Sequence, residues 1–238
     1  MKYTESDIIY HPADSRGYTE WDWLRSYHSF SFGNYFNPNR MQFGALRVLN
    51  DDWVKAGAGF GAHPHANMEI VTIPLAGALH HRDSTGRDAI IRKHDVQIMS
   101  AGTGITHSEI NASVEDPVAF LQIWVLPEKQ NIAPNYEQKT LDTAIRNQLV
   151  TIVAPNEPQA VRIQQQCWMT LLTADPNRQF TYHIHRSGSG VYVFMIDGSA
   201  TVNGKLLGLR DGAGWVDTDL FSIHTKTATQ ILLMEVPV

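Results

Sequence analysis

Two stretches of the sequence decide the predicted fold: Gly57-Ala58-Gly59-Phe60-Gly61-Ala62-His63-Pro64-His65 and Ala101-Gly102-Thr103-Gly104-Ile105-Thr106-His107-Ser108-Glu109. Each ends in two side chains that can bind a metal, spaced i, i+2. Because side chains alternate between the faces of a β-strand, His63 and His65 should project from one face, about 6–7 Å apart, and His107 and Glu109 likewise. Gly102 and Gly104 permit positive φ, which lets the backbone turn the second pair toward the first. The two pairs together predict a four-ligand metal site.

The composition is that of a folded globular protein. The chain has 238 residues, of which 43% are apolar and 18% charged, enough for one large core or two smaller ones. The net charge is −5, and the 19 basic residues are spread singly along the sequence. Direct nucleic-acid binding is therefore not expected, because no basic cluster can neutralise a phosphate backbone.

Cysteine use and hydropathy indicate the compartment. Cys167 is the single cysteine, which excludes an internal disulfide and a cysteine-based zinc site. The N-terminus has no apolar signal segment, and no run approaches the ~20 apolar residues that span a bilayer. We therefore expect a cytoplasmic protein that does not contact membranes.

Short runs of β-branched and aromatic residues separated by turn formers predict mostly strands. In the first half, strands are expected over residues 43–49, 68–75, 89–91 and 118–126. In the second half, they are expected over residues 150–153, 168–173, 180–185, 191–196, 199–202, 213–216 and 229–236. Two short helices are predicted, over residues 19–26 and 142–149, and the polar segment 127–138 reads as a connection.

An internal repeat divides the chain. His183-Ile184-His185 follows His63-Pro64-His65 at an offset of 120 residues, Gly198 follows Gly77 at 121, and His224 follows His107 at 117. Such spacing indicates duplication. We predict two tandem β-domains, an N-terminal metal-binding domain over residues 1–135 and a C-terminal domain over residues 136–238.

The second domain is expected to hold no metal. It keeps His183, His185 and His224, but Lys226 stands where Glu109 would be repeated. An ammonium group repels a divalent cation and supplies no anionic ligand.

Three imidazoles and one carboxylate suit a divalent first-row metal and leave positions open for substrate and O2. Fe(II) is the expected ion, while Mn, Ni, Cu and Zn fit the same ligands. Glu69 is a second carboxylate, with the same strand parity as His63 and His65, so it is either a ligand or a neighbour that orients a ligand imidazole. His80 and His81 point to opposite faces, so at most one of them reaches the cavity.

The motifs also carry a family resemblance. Besides the quoted histidine motifs, the sequence contains Met68-Glu69, the N-terminal run Trp23-Leu24-x-Ser26-x-His28-x-Phe30-Ser31-Phe32, Leu46-Arg47-Val48-Leu49-Asn50-Asp51-Asp52 and Gln122-Ile123-Trp124. Together these motifs resemble the pirin family of the cupin superfamily. The resemblance covers the N-terminal half by motif and the C-terminal half by length and strand pattern.

The resemblance implies a fold and a ligand set. It implies an all-β bicupin of two cupin-type β-barrels, with a metal bound in the first barrel by His63, His65, His107 and Glu109, which favours Glu109 over Glu69 as the ligand. The chain departs from the family at residues 93–95, where Lys-His-Asp replaces a usual Pro-Gly-Asp turn.

The length is most similar to short bacterial pirins with quercetin 2,3-dioxygenase activity. That resemblance implies cleavage of a flavonol or related aromatic enol by O2, giving a depside and carbon monoxide, with Glu109, or Glu69 if it is not a ligand, as the catalytic base. Two alternatives stay open: a metal-dependent regulatory protein that acts through a protein partner without turnover, and a non-oxidative cupin, such as an isomerase, that works without O2.

Overall fold

The computed structural model describes residues 8–142 and 145–238, and these ranges are almost entirely β-strand. Within them, the one helical segment is a single 3-10 turn at Ala13–Ser15. Nothing helical in the described ranges is long and apolar enough to cross a membrane. The predicted all-β fold class is confirmed.

The first half contains twelve strands, bounded as follows: β1 (Ile9–His11), β2 (Gly17–Glu20), β3 (Leu24–His28), β4 (Leu46–Val54), β5 (Gly59–His65), β6 (Glu69–Ala76), β7 (Ala78–Asp83), β8 (Asp88–Arg92), β9 (Asp95–Ser100), β10 (Ile105–Asn111), β11 (Val118–Val125) and β12 (Asn135–Thr140). The strands of the second half are β13 (Gln148–Ala154), β14 (Val161–Arg162), β15 (Trp168–Ala174), β16 (Gln179–His183), β17 (Ser189–Asp197), β18 (Ala200–Val202), β19 (Lys205–Leu207), β20 (Gly212–Trp215), β21 (Leu220–Thr225) and β22 (Thr229–Pro237).

The same pair of sheets occurs twice. The N-terminal barrel combines a four-stranded sheet, β5-β10-β7-β8, with a seven-stranded sheet, β12-β9-β6-β11-β4-β3-β2. The C-terminal barrel repeats this order as β16-β21-β18-β19 and β1-β20-β17-β22-β15-β13-β14. Gly77 and Gly198, with φ of 72° and 73°, precede the equivalent strands β7 and β18. The tandem duplication predicted from the sequence is confirmed.

Two edge strands lie near the ends of the N-terminal half of the chain and pair with different barrels. β1 pairs with β20 of the C-terminal barrel, and β12 pairs with β9 of the N-terminal barrel. The domain boundary between residues 135 and 136 stays a prediction. β12 crosses this boundary, with Asn135 before it and the rest of the strand after it.

The largest hydrophobic core lies between the two seven-stranded sheets. Val71, Ile98 and Leu121 from one sheet join Met169 and Leu232 from the other, all fully buried. Each such side chain contributes about 1.5–3 kcal/mol by leaving water. Because strand residues alternate, the intervening positions of the first sheet face the interior of the N-terminal barrel, where the apolar clusters are small.

Two predicted helices are wrong where the structure describes them. Residues 19–26 form parts of the hairpin β2–β3 instead, in which Thr19 pairs with Ser26. The burial of β3 alternates along the strand, so a period of two overrides the helix-capping signal at its start. Of the segment 142–149, residues 143 and 144 lie outside the described ranges, residues 145–147 are irregular, and Gln148 begins β13.

The segment predicted as a connection is also partly wrong. Its last residues, from Asn135 onward, belong to β12. The strand forms there because β9 offers a free edge for antiparallel pairing, and its own polar sequence gives no sign of this.

Candidate metal centre

Three histidines meet inside the N-terminal barrel. His63 and His65 lie on β5, His107 lies on β10, and antiparallel pairing places His107 opposite His63 and Ile105 opposite His65. The ring centroids are 4.8 Å apart for His63 and His65, 4.4 Å for His63 and His107, and 5.0 Å for His65 and His107. Their potential ligand nitrogens all lie within 4.8 Å of one another. The structure therefore brings the three predicted imidazoles to one point.

The glycines beside His107 take the predicted backbone conformation. Gly102 and Gly104 have φ of 50° and 139°. A Cβ atom on Gly102 would stand 2.1 Å from the carbonyl oxygen of Ile132, so only glycine fits this bend.

The protonation of the imidazoles suits metal binding. His63 Nδ1 lies 2.8 Å from the carbonyl oxygen of Gly61. A carbonyl only accepts, so Nδ1 carries a proton and Nε2 is the nitrogen that could bind a metal. Burial lowers the pKa of His65 to about 4 and that of His107 to about 3, which keeps both rings neutral, as ligands must be. Both ring nitrogens of His107 are buried without a hydrogen-bond partner among the described residues, which fits a role as a metal ligand.

Glu109 is held by two residues of the large sheet. Gln122 Nε2 donates to its Oε2 at 2.7 Å. The single hydroxyl proton of Thr72 is shared between Gln122 Oε1 at 2.8 Å and Glu109 Oε1 at 3.3 Å. Burial raises the pKa of Glu109 to about 7, although both hydrogen bonds oppose the shift. A ligand oxygen of Glu109 lies within 4.8 Å of a ring nitrogen of His107. The spacing of the motifs gives no hint of the roles of Thr72 and Gln122, which depend on the large sheet reaching across the barrel.

His81 is a completely buried neighbour of this cluster. It pairs with Glu109 across β7 and β10, and its ring lies 5.3 Å from that of His107. Its Nε2 donates to Asp83 Oδ2 at 2.9 Å, while its Nδ1 has no partner among the described residues. His80 points outward to Asp88, which confirms the prediction that the two histidines face opposite ways. The i, i+2 spacing of His81 and Asp83 is the signal that could have identified this buried pair.

Glu69 faces away from the metal centre. Its carboxylate accepts hydrogen bonds from the backbone N–H groups of Gln164 and Gln165, both at 2.8 Å, and from Ser100 Oγ at 3.0 Å. The parity argument that grouped it with His63 and His65 is wrong, because β5 ends at His65 and β6 belongs to the other sheet. On β6, Glu69 shares the face of Val71 toward the C-terminal barrel, so we assign it no part in ligand binding or catalysis.

A cavity of about 250 Å³ opens beside the cluster. Its polar lining includes His63, Glu109 and Gln122, and its aromatic lining includes Trp21, Phe32, Phe60 and Trp124. Trp124 packs edge-on against His65 with ring centroids 5.0 Å apart. A flat aromatic molecule can therefore lie against apolar rings with one edge near His63.

The equivalent positions of the C-terminal barrel are apolar. When Gly198 is aligned with Gly77, strand pairing places Val202 where His81 stands, Ile223 where Glu109 stands and Phe221 where His107 stands. These side chains belong to the core that fills this barrel.

The offsets of 120 and 117 residues between histidines therefore identified the wrong equivalents, whereas the offset of 121 residues between Gly77 and Gly198 holds. His224 and Lys226 lie off the inward positions, His183 is exposed, and His185 Nδ1 bonds to Glu235 at 2.8 Å. Strand pairing decides equivalence here, since the bulge after His107 and the differing loop lengths make one fixed offset misleading.

Two consecutive barrels, the first with inward histidines, define a bicupin. The Pirin family model matches residues 11–125, and the model described as the quercetinase C-terminal cupin domain matches residues 151–236. The quercetin 2,3-dioxygenase of Escherichia coli K12 is 38% identical over 97% of this chain and 99% of its own. The pirin-like protein of Caulobacter vibrioides is 35% identical over 94% of this chain and 97% of its own.

Solved structures agree with these matches. The bacterial pirin YhhW of Escherichia coli, crystallised with nickel(II), superposes with a TM-score of 0.92 and 36% identity, covering 97% of this chain and 99% of that one. This chain belongs to the pirin family.

Proposed function

We propose that this protein is a metal-dependent dioxygenase that cleaves the flavonol ring of quercetin-like substrates with O2 and releases carbon monoxide. The observation that carries the proposal is the cluster of three imidazoles beside a buried carboxyl group, at the wall of an aromatic cavity. The names of the relatives support dioxygenase chemistry at the level of the family.

The residues present fit a divalent transition metal. We propose His63, His65, His107 and Glu109 as its ligands, because the unpartnered nitrogens of His107 and the free Nε2 of His63 are donors of the required type. Fe(II) is the proposed ion; Zn, Cu, Ni and Mn fit the same donors. When bound, such an ion supplies Lewis acidity and, if redox-active, electron transfer to O2.

The protein residues supply proton transfer and orientation. Glu109 is the proposed base that takes the proton of the substrate's enol hydroxyl, because it lines the cavity together with His63. Gln122 and Thr72 fix the direction of its carboxylate. Trp124 and Phe60 exclude water from one side of the cavity and give a flat substrate a surface to stack on.

The test combines metal analysis with turnover. Purified protein should bleach quercetin in air and release carbon monoxide, and it should contain close to one equivalent of metal. His63→Ala and Glu109→Ala should each lower turnover by at least about 100-fold, with loss of metal in the first, since even residues behind a ligand are worth 10–100-fold. His183→Ala, which removes an exposed histidine of the second His-x-His motif, is the matched control and should behave as wild type.

Other outcomes would contradict the proposal. Activity on an enol substrate without O2 would favour a non-oxidative cupin. A metal-loaded protein with no turnover but a stable protein partner would favour the regulatory alternative. The cytoplasmic location and the absence of nucleic-acid binding stay predictions.

A further inference from the structure

The cavity contains a second buried carboxyl group that the proposed metal centre does not use. Asp52 lies on β4, is 4% exposed, and lines the cavity together with His63 and Glu109. It is the last residue of the motif Asn50-Asp51-Asp52, whose role the proposed metal ligands do not explain.

Only one oxygen of Asp52 is occupied. The hydroxyl of Ser26, its partner across β3 and β4, donates a short hydrogen bond to Oδ1. Oδ2 has no hydrogen-bond partner among the described residues. It is also not fully enclosed by protein atoms, so it keeps some access to solvent. An oxygen with some solvent access, on a side chain that lines the cavity, is directed into that cavity.

The charged side chains around Asp52 do not neutralise a carboxylate there. On β4, Asp51 is held by Arg16 at 3.1 Å and Arg210 at 3.5 Å, so those two cations are already paired. Glu109 on β10 adds a further negative group.

The histidines of the neighbouring strands offer no positive charge either. His28 on β3 bonds to Asn50 at 2.8 Å and to Thr19 at 3.0 Å, and burial lowers its pKa. His63 on β5 keeps Nε2 free of a proton in its proposed role as a ligand.

The carboxyl group is therefore expected to be protonated near neutral pH. Burial raises the pKa of Asp52 to about 8; the hydrogen bond from Ser26 opposes the rise, and the charges of Asp51 and Glu109 add to it. Since Oδ1 is bonded to Ser26, Oδ2 is the oxygen available to carry the proton and to donate toward the cavity.

We propose that Asp52 Oδ2 donates a hydrogen bond to an acceptor oxygen of the bound substrate and so selects aromatic enols that carry a keto oxygen beside the reacting hydroxyl. Asp52 thereby becomes a specificity-determining residue on the wall of the cavity that also contains Glu109. This inference rests on the proposed function, because the occupant of the cavity is the dioxygenase substrate.

The test measures quercetin binding without turnover. Under anaerobic conditions, quenching of tryptophan fluorescence gives the quercetin Kd for metal-loaded protein at pH 7 and pH 9. For wild type, the affinity should fall about tenfold more across this range than for Asp52→Asn, which keeps a neutral donor at both pH values. Quercetin and Glu109 titrate in every variant. The difference in the pH dependence of Kd between wild type and Asp52→Asn therefore reports on Asp52 alone.

Further variants complete the design. Asp52→Ala should bind about tenfold more weakly at pH 7, and in air its loss should appear in KM more than in kcat. Asp116→Asn, an exposed residue, is the matched control and should follow wild type. The melting temperature of each variant separates loss of binding from loss of fold, and Asp52→Asn, nearly isosteric with wild type, keeps the test valid if Asp52→Ala is unstable.

The failures are distinguishable. If Asp52→Asn shows the same pH dependence as wild type, or folded Asp52→Ala binds as tightly as wild type, the inference about Asp52 is overturned while the dioxygenase proposal stands. If wild type neither binds nor consumes quercetin, the proposed function itself fails, and the inference fails with it.

Discussion

Replacement of Glu69 by glutamine tests whether this residue joins the two barrels or takes part in the chemistry. Its two carboxylate oxygens accept from the backbone N–H groups of Gln164 and Gln165 and from Ser100, and it is 1% exposed. In Glu69→Gln, one acceptor oxygen becomes an NH2 group, so at least one of these donors meets another donor.

A hydrogen bond to a charged group is worth about 1.5–3 kcal/mol. Burial raises the pKa of Glu69, so the neutral amide recovers part of a desolvation cost, and the expected loss in the free energy of unfolding is about 1.5 kcal/mol. For a chain of this length, that corresponds to a melting temperature about 3–6 °C lower.

Calorimetry or circular dichroism measures the melting temperature, with Glu128→Gln, an exposed change, as the control that should stay within about 0.5 kcal/mol of wild type. The metal content and the quercetin turnover of folded Glu69→Gln should match wild type. A Glu69→Gln variant that has the melting temperature of wild type but has lost turnover would refute this reasoning. Glu69 would then have a role in catalysis.

Two further predictions concern the backbone and the pH dependence of stability. His94 is exposed with φ of 78°, in the turn where pirins usually carry glycine, so His94→Gly should raise the free energy of unfolding by about 0.5–1 kcal/mol in a denaturant titration, whereas Lys93→Gly should lower it. His11, on the arm β1, bonds to Tyr192 Oη at 2.9 Å, and burial lowers its pKa to about 4 from the ordinary 6.5. The unfolded chain therefore binds the extra proton, and the stability that is fully present above pH 6.5 is lost as the pH falls toward 4. Between pH 7 and 4.5, His11→Gln should lose about 2–3 kcal/mol less than wild type; equal losses would contradict the assignment.

The sequence supplied the parts of the site that depend on local geometry. Alternation along a strand was enough to place His63 beside His65 and His107 on the same face as Glu109, because side-chain direction in a strand repeats every two residues. Positive φ at Gly102 followed from the conformational freedom of glycine. The second histidine motif shows the limit of this reasoning. His183-Ile184-His185 has the right spacing, but β16 ends at His183, and the buried residue at the end of that strand is Tyr182.

The strands that were missed share a physical cause. β9 and β21 carry polar or charged residues on at least one face, and their pairing is fixed by neighbours distant in the sequence. Likewise, β2 and β3 pair as a hairpin because Ser26 and His28 find polar partners on β2 and β4, a gain that no local helix propensity records.

The sequence by itself determined the strand-rich character, the duplication and the local pairs His63–His65 and His107–Glu109, because these depend on spacings of a few residues or on repetition of the whole unit. Only the tertiary structure decided which carboxyl groups share the cavity. Glu69 is four residues from His65 but faces the other barrel, whereas Asp52 and Gln122, distant in the sequence, face Glu109 and His63 across the cavity. The reason is that a β-barrel assembles its interior from alternate residues of many strands, and which residues meet there depends on strand order and register rather than on distance along the chain.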